Sequence, residues 1–482
     1  MAGSVLLPRE RQALRRADPA AEGGFDSNSP KPLIELNGTN AGSGVSGLYI
    51  AATQCTVRAL VVNRFSQSGI VLSVFGASVD TVQGCYLGTT ADGSAAAANG
   101  SAGVAVSCSN NTIGGTTAGT GNLISGNSLE GVGLFGSSAK GNLVVGNRIG
   151  TTADGSAGLT NGGIGGVTIE SGATNNTIGG TAAGAGNVIS GNKYSSSGVE
   201  ISDTGTTGNL VEGNAIGANA AGTAALANGS YGVFIWAGAT NNTIGGTAAG
   251  TGNTISGNST YGIYLYGGGS SVTTGNIIQG NRIGTTGDGS GALPNLDGIY
   301  EDRTAGGNTI GGSVAGAGNL ISGNSAFGII FDANGNVVQG NRLGTNAAGT
   351  GAVGNWEGVV LGSSSNTVGG TTAGASNTIS GNKTIGVDIG VSNNIVEGNR
   401  IGTTADGSTA LANGTAGIAV GASAVNNTIG GTTAGTANII SGNTQYGVDI
   451  TDTGTTGNLL EGNDIGTNAA GNVAIPNGRG GV

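Results

Sequence analysis

Histidine is absent from this chain of 482 residues, which removes Ser-His-Asp and Cys-His catalysis and the usual zinc sites. Proline is nearly confined to the start. Of six, Pro8, Pro19, Pro30 and Pro32 come first, and only Pro294 and Pro476 follow. A body with so little proline suits continuous backbone ladders. The three cysteines, Cys55, Cys85 and Cys108, are odd in number and lack zinc-ligand spacing, so they read as small buried or turn residues. Basic charge is also sparse. The net charge is −10, and five of the sixteen Lys and Arg (Arg9, Arg11, Arg15, Arg16 and Lys31) come before the first repeat, which argues against nucleic acid as a partner. No apolar run approaches the roughly 18 residues of a membrane span. The early arginines precede no apolar stretch long enough for a secretory signal, since Val5-Leu6-Leu7 stands alone. No phosphate-binding loop follows a strand–helix pattern.

Glycine is abundant, 103 residues, yet it has no collagen period, and Val, Ile and Leu recur at fixed places, which argues against disorder. Asn-Thr-Ile-Gly-Gly comes round six times at nearly even steps, starting at Asn111, Asn176, Asn242, Asn308, Asn366 (Val368 for Ile) and Asn427. A unit that cannot bury its apolar face alone stacks on copies of itself. A second marker, Gly-apolar-x-apolar, recurs fourteen times, beginning at Gly47 and ending at Gly447. Twelve steps separate Gly69 from Gly447, which makes the repeating unit roughly 30 residues long, the size of one solenoid coil.

Coils alternate between two forms. The first runs Gly131-Val-Gly-Leu, then Asn142-Leu-Val-Val-Gly-Asn147, then Arg148-Ile-Gly-Thr-Thr-Ala-Asp154-Gly. The second runs Gly166-Val-Thr-Ile, then Asn176-Thr-Ile-Gly-Gly, a Thr/Ala/Gly loop, and Asn187-Val-Ile-Ser-Gly-Asn192. The extra residues follow the third strand in the first form (153–161) and precede it in the second (181–186), so the two loop families should leave different edges. Three short strands per turn, stacked coil on coil, make a single-stranded all-β solenoid, a parallel β-helix of about 14 coils of about 30 residues. Its length would be on the order of 65 Å. Asn147, Asn214, Asn281, Asn341, Asn399 and Asn463 take equivalent corners, where asparagine tolerates left-handed backbone and can bond the next coil. They predict a stacked ladder, interrupted where Cys85 takes the corner.

The Gly-Val-x-Ile and Asn-Thr-Ile-x-Gly-Asn patterns over about residues 46–482 resemble the right-handed parallel β-helix repeat family, in the pectate-lyase-like superfamily, and in particular the repeat regions of large bacterial surface and secreted proteins. The resemblance implies the right-handed sense and an extracellular or cell-surface setting. It says little about activity, because that superfamily mixes lyases, hydrolases, epimerases, adhesins and stalks. Residues 1–45 are read as an N-terminal tail, with 9–16 as a short amphipathic helix that could cap the core, and 46–482 as the solenoid.

Hydrolases of the superfamily use carboxylates on one face, which makes Asp388, Glu397, Asp449, Glu461 and Glu301 the catalytic candidates. Asp388 and Asp449 lie two coils apart, roughly 9.6 Å, near the upper limit for an inverting pair. Glu301 stands where an inward apolar residue is expected. The competing reading is a solvated polar face. The superfamily's lyases use clustered Asp for calcium and a basic residue on the body, and the repeats hold only Lys140, Lys193 and Lys383. Asp92, Asp154, Asp288 and Asp406, in Asp-Gly loops, could each offer one carboxylate to calcium, against a local role as Asx-turn or, for the last three, an ion pair with Arg148, Arg282 or Arg400 six residues earlier. No cofactor is expected otherwise. Tyr264 and Tyr266 are candidates for stacking sugars, with Trp236, Tyr300 and Trp356 the other exposed aromatics. The near-uniform repeat favours a non-catalytic, rigid surface or extracellular module, a spacer or adhesin. Its partners would be neighbouring repeats of a longer array, a second copy stacked end to end in a filament, or a polysaccharide. The chief alternative is a polysaccharide-active lyase or hydrolase, or a glycan-binding module.

Overall fold

A computed structural model describes residues 32, 34–73, 78–192, 196–269 and 271–482. The expected cap helix at 9–16 and Lys193 fall outside them. Among the described residues, forty-three short strands form three sheets of 14, 14 and 15 strands, and one 3-10 turn (Ala373–Ala375) lies between strands. Every strand pairs in parallel with the strands three places before and after it in the chain, so each coil gives one strand to each sheet. The protein is a right-handed parallel β-helix of about 14 coils. The first sheet holds the Gly-apolar-x-apolar strands, the second the Asn-Thr-Ile-Gly strands, and the third the Arg-Ile or Val-Ile strands. Ile34–Asn37 already pairs with Leu60–Asn63 in the third sheet, so the ladder starts before the boundary read at residue 46. That strand lacks the glycine marker by which the coils were counted.

The core is a set of columns. Ile113, Val144, Ile178, Val211 and Ile244 lie over one another in the second sheet, and Ile124, Ile149, Ile189, Ile216 and Ile255 in the third, all without solvent exposure. Each such side chain contributes about 1.5–3 kcal/mol on burial. Glycine at the head of each first-sheet strand is a packing requirement: a Cβ on Gly131 would stand 2.7 Å from Gly166 O and from Ile149 Cγ2. Gly146, before a corner asparagine, has φ +67 and would put a Cβ 2.1 Å from Gly115 O. Both the left-handed backbone and the close approach select glycine.

Asparagine ladders run along all three corners, and each amide is a repeating rung. Asn147 donates its backbone N–H and its Nδ2 to Asn187 Oδ1 (both 2.9 Å) and a second Nδ2 proton to Ile113 O (2.8 Å), while its Oδ1 accepts from Asn122. Asn214, Asn281, Asn341, Asn399 and Asn463 sit in this same ladder. The intermediate rungs, Asn187, Asn253, Asn319, Asn377 and Asn438, come from second-form coils. Cys85 takes the position before Asn122, and its N–H still donates to Asn122 Oδ1. The three cysteines are free thiols, with Cys85 and Cys108 buried. Burial pushes the Cys85 thiol up to about 11, so it is neutral at physiological pH.

The two loop families flank the third sheet. Loops of one family bond each other directly across two coils, Ala347 N–H to Gly289 O and Ala405 N–H to Gly349 O (each 3.0 Å). Among the described residues no helix is long and apolar enough to cross a membrane.

Candidate functional site

The outward face of the first sheet carries the chemistry. On a strand whose alternate side chains fill the core, the intervening positions point to solvent and align between coils. In consecutive coils, one outward column reads Glu200, Phe234, Tyr264, Tyr300. The column beside it places Ser202, Trp236 and Tyr266 in register. Tyr231 and Tyr261 precede the marker glycines of two of these coils.

Seven rings therefore gather in one patch. Phe234, Tyr264 and Tyr300 stack at centroid distances of 5.1 and 5.4 Å with planes within 4° and 11°. Tyr231 stacks on Tyr261 at 5.5 Å, and Phe234 lies parallel to Trp236 at 5.5 Å. Tyr266 joins beside Tyr264 at 6.0 Å. Each of the seven rings is half-buried.

Carboxylates border the rings. Trp236 Nε1 donates to Glu200 Oε1 (2.7 Å), Tyr264 OH to Asp302 Oδ2 (3.2 Å), and Tyr300 OH to Asp332 Oδ2 (2.9 Å). Glu200 is only 2 % exposed. Burial raises its carboxyl to about 7, against the lowering effect of the Trp236 bond and with further raising by Glu170, Asp203 and Glu130. Burial and the Asp302 charge push the Tyr264 phenol far up, so it stays a hydrogen-bond donor at every physiological pH. Farther along the face, burial and the neighbouring Asp388 raise Glu357 to about 7, and burial raises Asp388.

The catalytic candidates divide. Asp388 and Asp449 share one outward column of the first sheet, with Ala419 between them. Glu397 and Glu461 lie in the second sheet, opposite Gly369 and Gly430, so the structure does not bring the four to one face. The sequence pattern marks a position as outward; the turn after the first strand decides which of three surfaces that is. Glu301 points into the core, fully buried between Leu265 and Phe331. One carboxyl oxygen accepts from Asn308 Nδ2 (3.2 Å) and the other has no partner. Its pKa is raised to about 8 by burial, which outweighs that bond. Asn308 Nδ2 also donates to Ala305 O (2.6 Å) and Thr273 O (3.3 Å), and not to the next rung. Asn336, Asn366 and Asn394 after it give Nδ2 to Ala333, Ser363 and Val391 carbonyls rather than to the next asparagine.

The loop aspartates are satisfied locally. Asp288 Oδ1 accepts from Thr286 Oγ1 (2.6 Å) and from Ser290 N–H (3.0 Å), and Asp92, Asp154 and Asp406 repeat the arrangement. These bonds hold all four carboxyls at about 2. The Arg–Asp ion pairs offered as an alternative do not form; the ion pair found among the described residues joins Arg64 and Glu35 at 3.1 Å. Arg282, Arg342 and Arg400 instead run beneath the glycines of their own loops. No group of three or more Cys, Asp and Glu is gathered as a metal would require, among the described residues.

Sequence reasoning singled out Tyr264, Tyr266, Trp236 and Tyr300 but missed Tyr231, Phe234 and Tyr261. Superposing Tyr231-Gly-Val-Phe-Ile-Trp236 on Tyr261-Gly-Ile-Tyr-Leu-Tyr266 would have exposed the match. Trp356 is 49 % exposed and lies outside the ring cluster.

No known protein-family profile matches the chain, and no curated protein sequence matches it. Solved structures do. A mutant of the periplasmic alginate epimerase AlgG aligns at 14 % identity over 85 % of this chain and 78 % of its own, with a TM-score of 0.42. The Dettilon tailspike protein aligns at 18 % identity over 82 % of this chain and 61 % of its own, with a TM-score of 0.37. PfbA, a surface adhesin of Streptococcus pneumoniae, aligns at 12 % identity over 73 % and 79 %, with a TM-score of 0.22.

Proposed function

We propose that this protein is a non-catalytic β-helix scaffold that binds a glycan chain along the aromatic strip of its first sheet, acting outside the cell or at its surface as a rigid adhesive or spacer module. The observation that carries the reading is the seven-ring patch, Tyr231, Phe234, Trp236, Tyr261, Tyr264, Tyr266 and Tyr300, on an otherwise aromatic-poor chain. Open ring surfaces in a row take the C–H faces of successive sugars, and the phenols and carboxylates around them supply hydrogen bonds. The backbone ladders keep the rings rigid, so little entropy is lost on binding.

Affinity electrophoresis through gels holding different β-linked polysaccharides tests this reading. The full chain should be retarded by at least one neutral or amino-bearing glycan. The Trp236→Ala/Tyr264→Ala variant, with an unchanged circular dichroism spectrum, should lose about tenfold in affinity. Release of new reducing ends from a retarding polysaccharide would replace the non-catalytic reading with an enzymatic one, and mobility unchanged in every gel would remove the glycan altogether.

A further inference from the structure

The fourteen first-sheet strands contain no lysine or arginine. Their outward positions, and the turn residues directly after them, supply Glu170, Glu200, Asp302, Asp332, Asp388 and Asp449 instead. The third sheet is the opposite case, with Arg148, Arg282, Arg342 and Arg400 on its strands. The charge asymmetry is therefore a property of one face and not merely of an acidic chain.

On that face the carboxylates are fixed but not neutralised. Asp302 and Asp332 each hold a tyrosine hydroxyl of the ring stack, Glu200 holds the indole of Trp236, and none has a cationic side chain within ion-pair distance among the described residues. Arg303 follows Asp302 in the turn, and its backbone N–H donates to Asp302 Oδ1 (2.5 Å) without an ion pair between the side chains. A carboxylate set into an aromatic surface and paired with no cation favours a ligand that brings one. Resting on the glycan-binding reading above, we infer that the chain held by the strip is a polymer of amino sugars with free amines: its rings lie on Phe234, Tyr264 and Tyr300, and its ammonium groups lie against Asp302 and Asp332. Asp302 and Asp332 follow strands in adjacent coils, so they recur at about one strand spacing, roughly 5 Å, close to the advance of one sugar in an extended chain. The ring faces themselves attract a nearby ammonium. A uronate polymer would meet the same carboxylates as like charges and be rejected.

Isothermal titration of the full chain at about pH 6, where the amines are charged, decides the matter with three hexamers: β-1,4-glucosamine, its fully N-acetylated form, and galacturonate. The glucosamine hexamer should bind at least tenfold more tightly than the N-acetylated one. The difference should shrink on raising salt to about 0.3 M, and galacturonate should not bind. Asp302→Asn/Asp332→Asn should make the two affinities equal, whatever it does to each; the salt series needs no variant, so it stands even if that one misfolds. Equal affinity for glucosamine and its N-acetylated form, a salt-independent preference, or preferential binding of galacturonate overturns the amino-sugar inference and leaves the glycan-binding reading in place. Failure of all three hexamers to bind, together with unchanged mobility in the polysaccharide gels, removes both.

Discussion

The Trp236 indole donates to the Glu200 carboxylate at 2.7 Å across two neighbouring coils, tying the edge of the ring patch to an acid that burial holds at about 7. The bond strengthens when Glu200 ionises, so the indole should report the titration. In a Trp356→Phe background, which leaves Trp236 as the only tryptophan of the two, intrinsic fluorescence should change with a midpoint near 7. Glu200→Gln should abolish the change. A flat profile between about pH 5 and 9, or one that survives the substitution, contradicts the assignment.

Glu301 makes the core pH-sensitive. Its folded carboxyl lies at about 8, above the ordinary 4.5, so the folded state prefers the protonated form. The stability this acid allows is therefore complete below about 4.5 and is lost progressively as pH rises through about 8. Glu301→Leu continues the column of Leu265 and Phe331 and removes the orphan oxygen. The variant should be more stable than the parent at pH 9, on the order of 1–3 kcal/mol, with a smaller gap at pH 5. Urea midpoints at the two pH values measure it, and a gap that does not widen with pH counts against the account.

The ladders predict a cost out of proportion to one amide. Asn281 Oδ1 accepts the N–H and Nδ2 of Asn253, and its own groups reach Asn319 Oδ1 and Ile244 O. Asn281→Ala strands buried donors on Asn253 and removes the side-chain bonds to Asn319 Oδ1 and Ile244 O, which should cost on the order of 3 kcal/mol. Asn281→Gln should recover little, because the longer side chain moves the amide off its rung. The urea midpoint of each variant decides; a loss under about 0.5 kcal/mol for Ala would show that water replaces the rung.

The Asp-Gly loops should depend on an acceptor at the aspartate position rather than on charge or calcium. Asp288 Oδ1 closes the turn onto Thr286 and Ser290, and asparagine carries an oxygen at the same place. Limited proteolysis between Thr286 and Gly291 should quicken in Asp288→Ala, stay near the parent rate in Asp288→Asn, and ignore millimolar calcium. Protection by calcium in the parent alone would instead make the loop a cation site.

Much of the fold was legible because the chain repeats. A nearly constant step between marker glycines, with three apolar triplets per turn, has one compact solution, stacked coils with apolar columns inside. Glu301 stood out as an acid on an inward position, and its burial follows from strand alternation alone. The corner asparagines of the first-form coils were also visible by spacing. Their partners were not: Asn187 and Asn253 belong to coils whose long loop falls at a different edge, so equal spacing in the chain is lost although each amide still meets the next rung in space.

By itself, then, the sequence determined the solenoid, its two loop families and the inward columns, all local or periodic properties fixed by strand geometry and glycine corners. The tertiary structure decided which residues become neighbours across coils. It gathered Tyr231, Tyr261, Tyr264 and Tyr300, which come from three successive coils, into one patch, and it sent Asp388 and Glu397, close in the chain, to different sheets. The physical reason is that loops of varying length absorb the difference in chain distance, while backbone hydrogen bonds between coils set the lateral register at one strand spacing, whatever the loops contain.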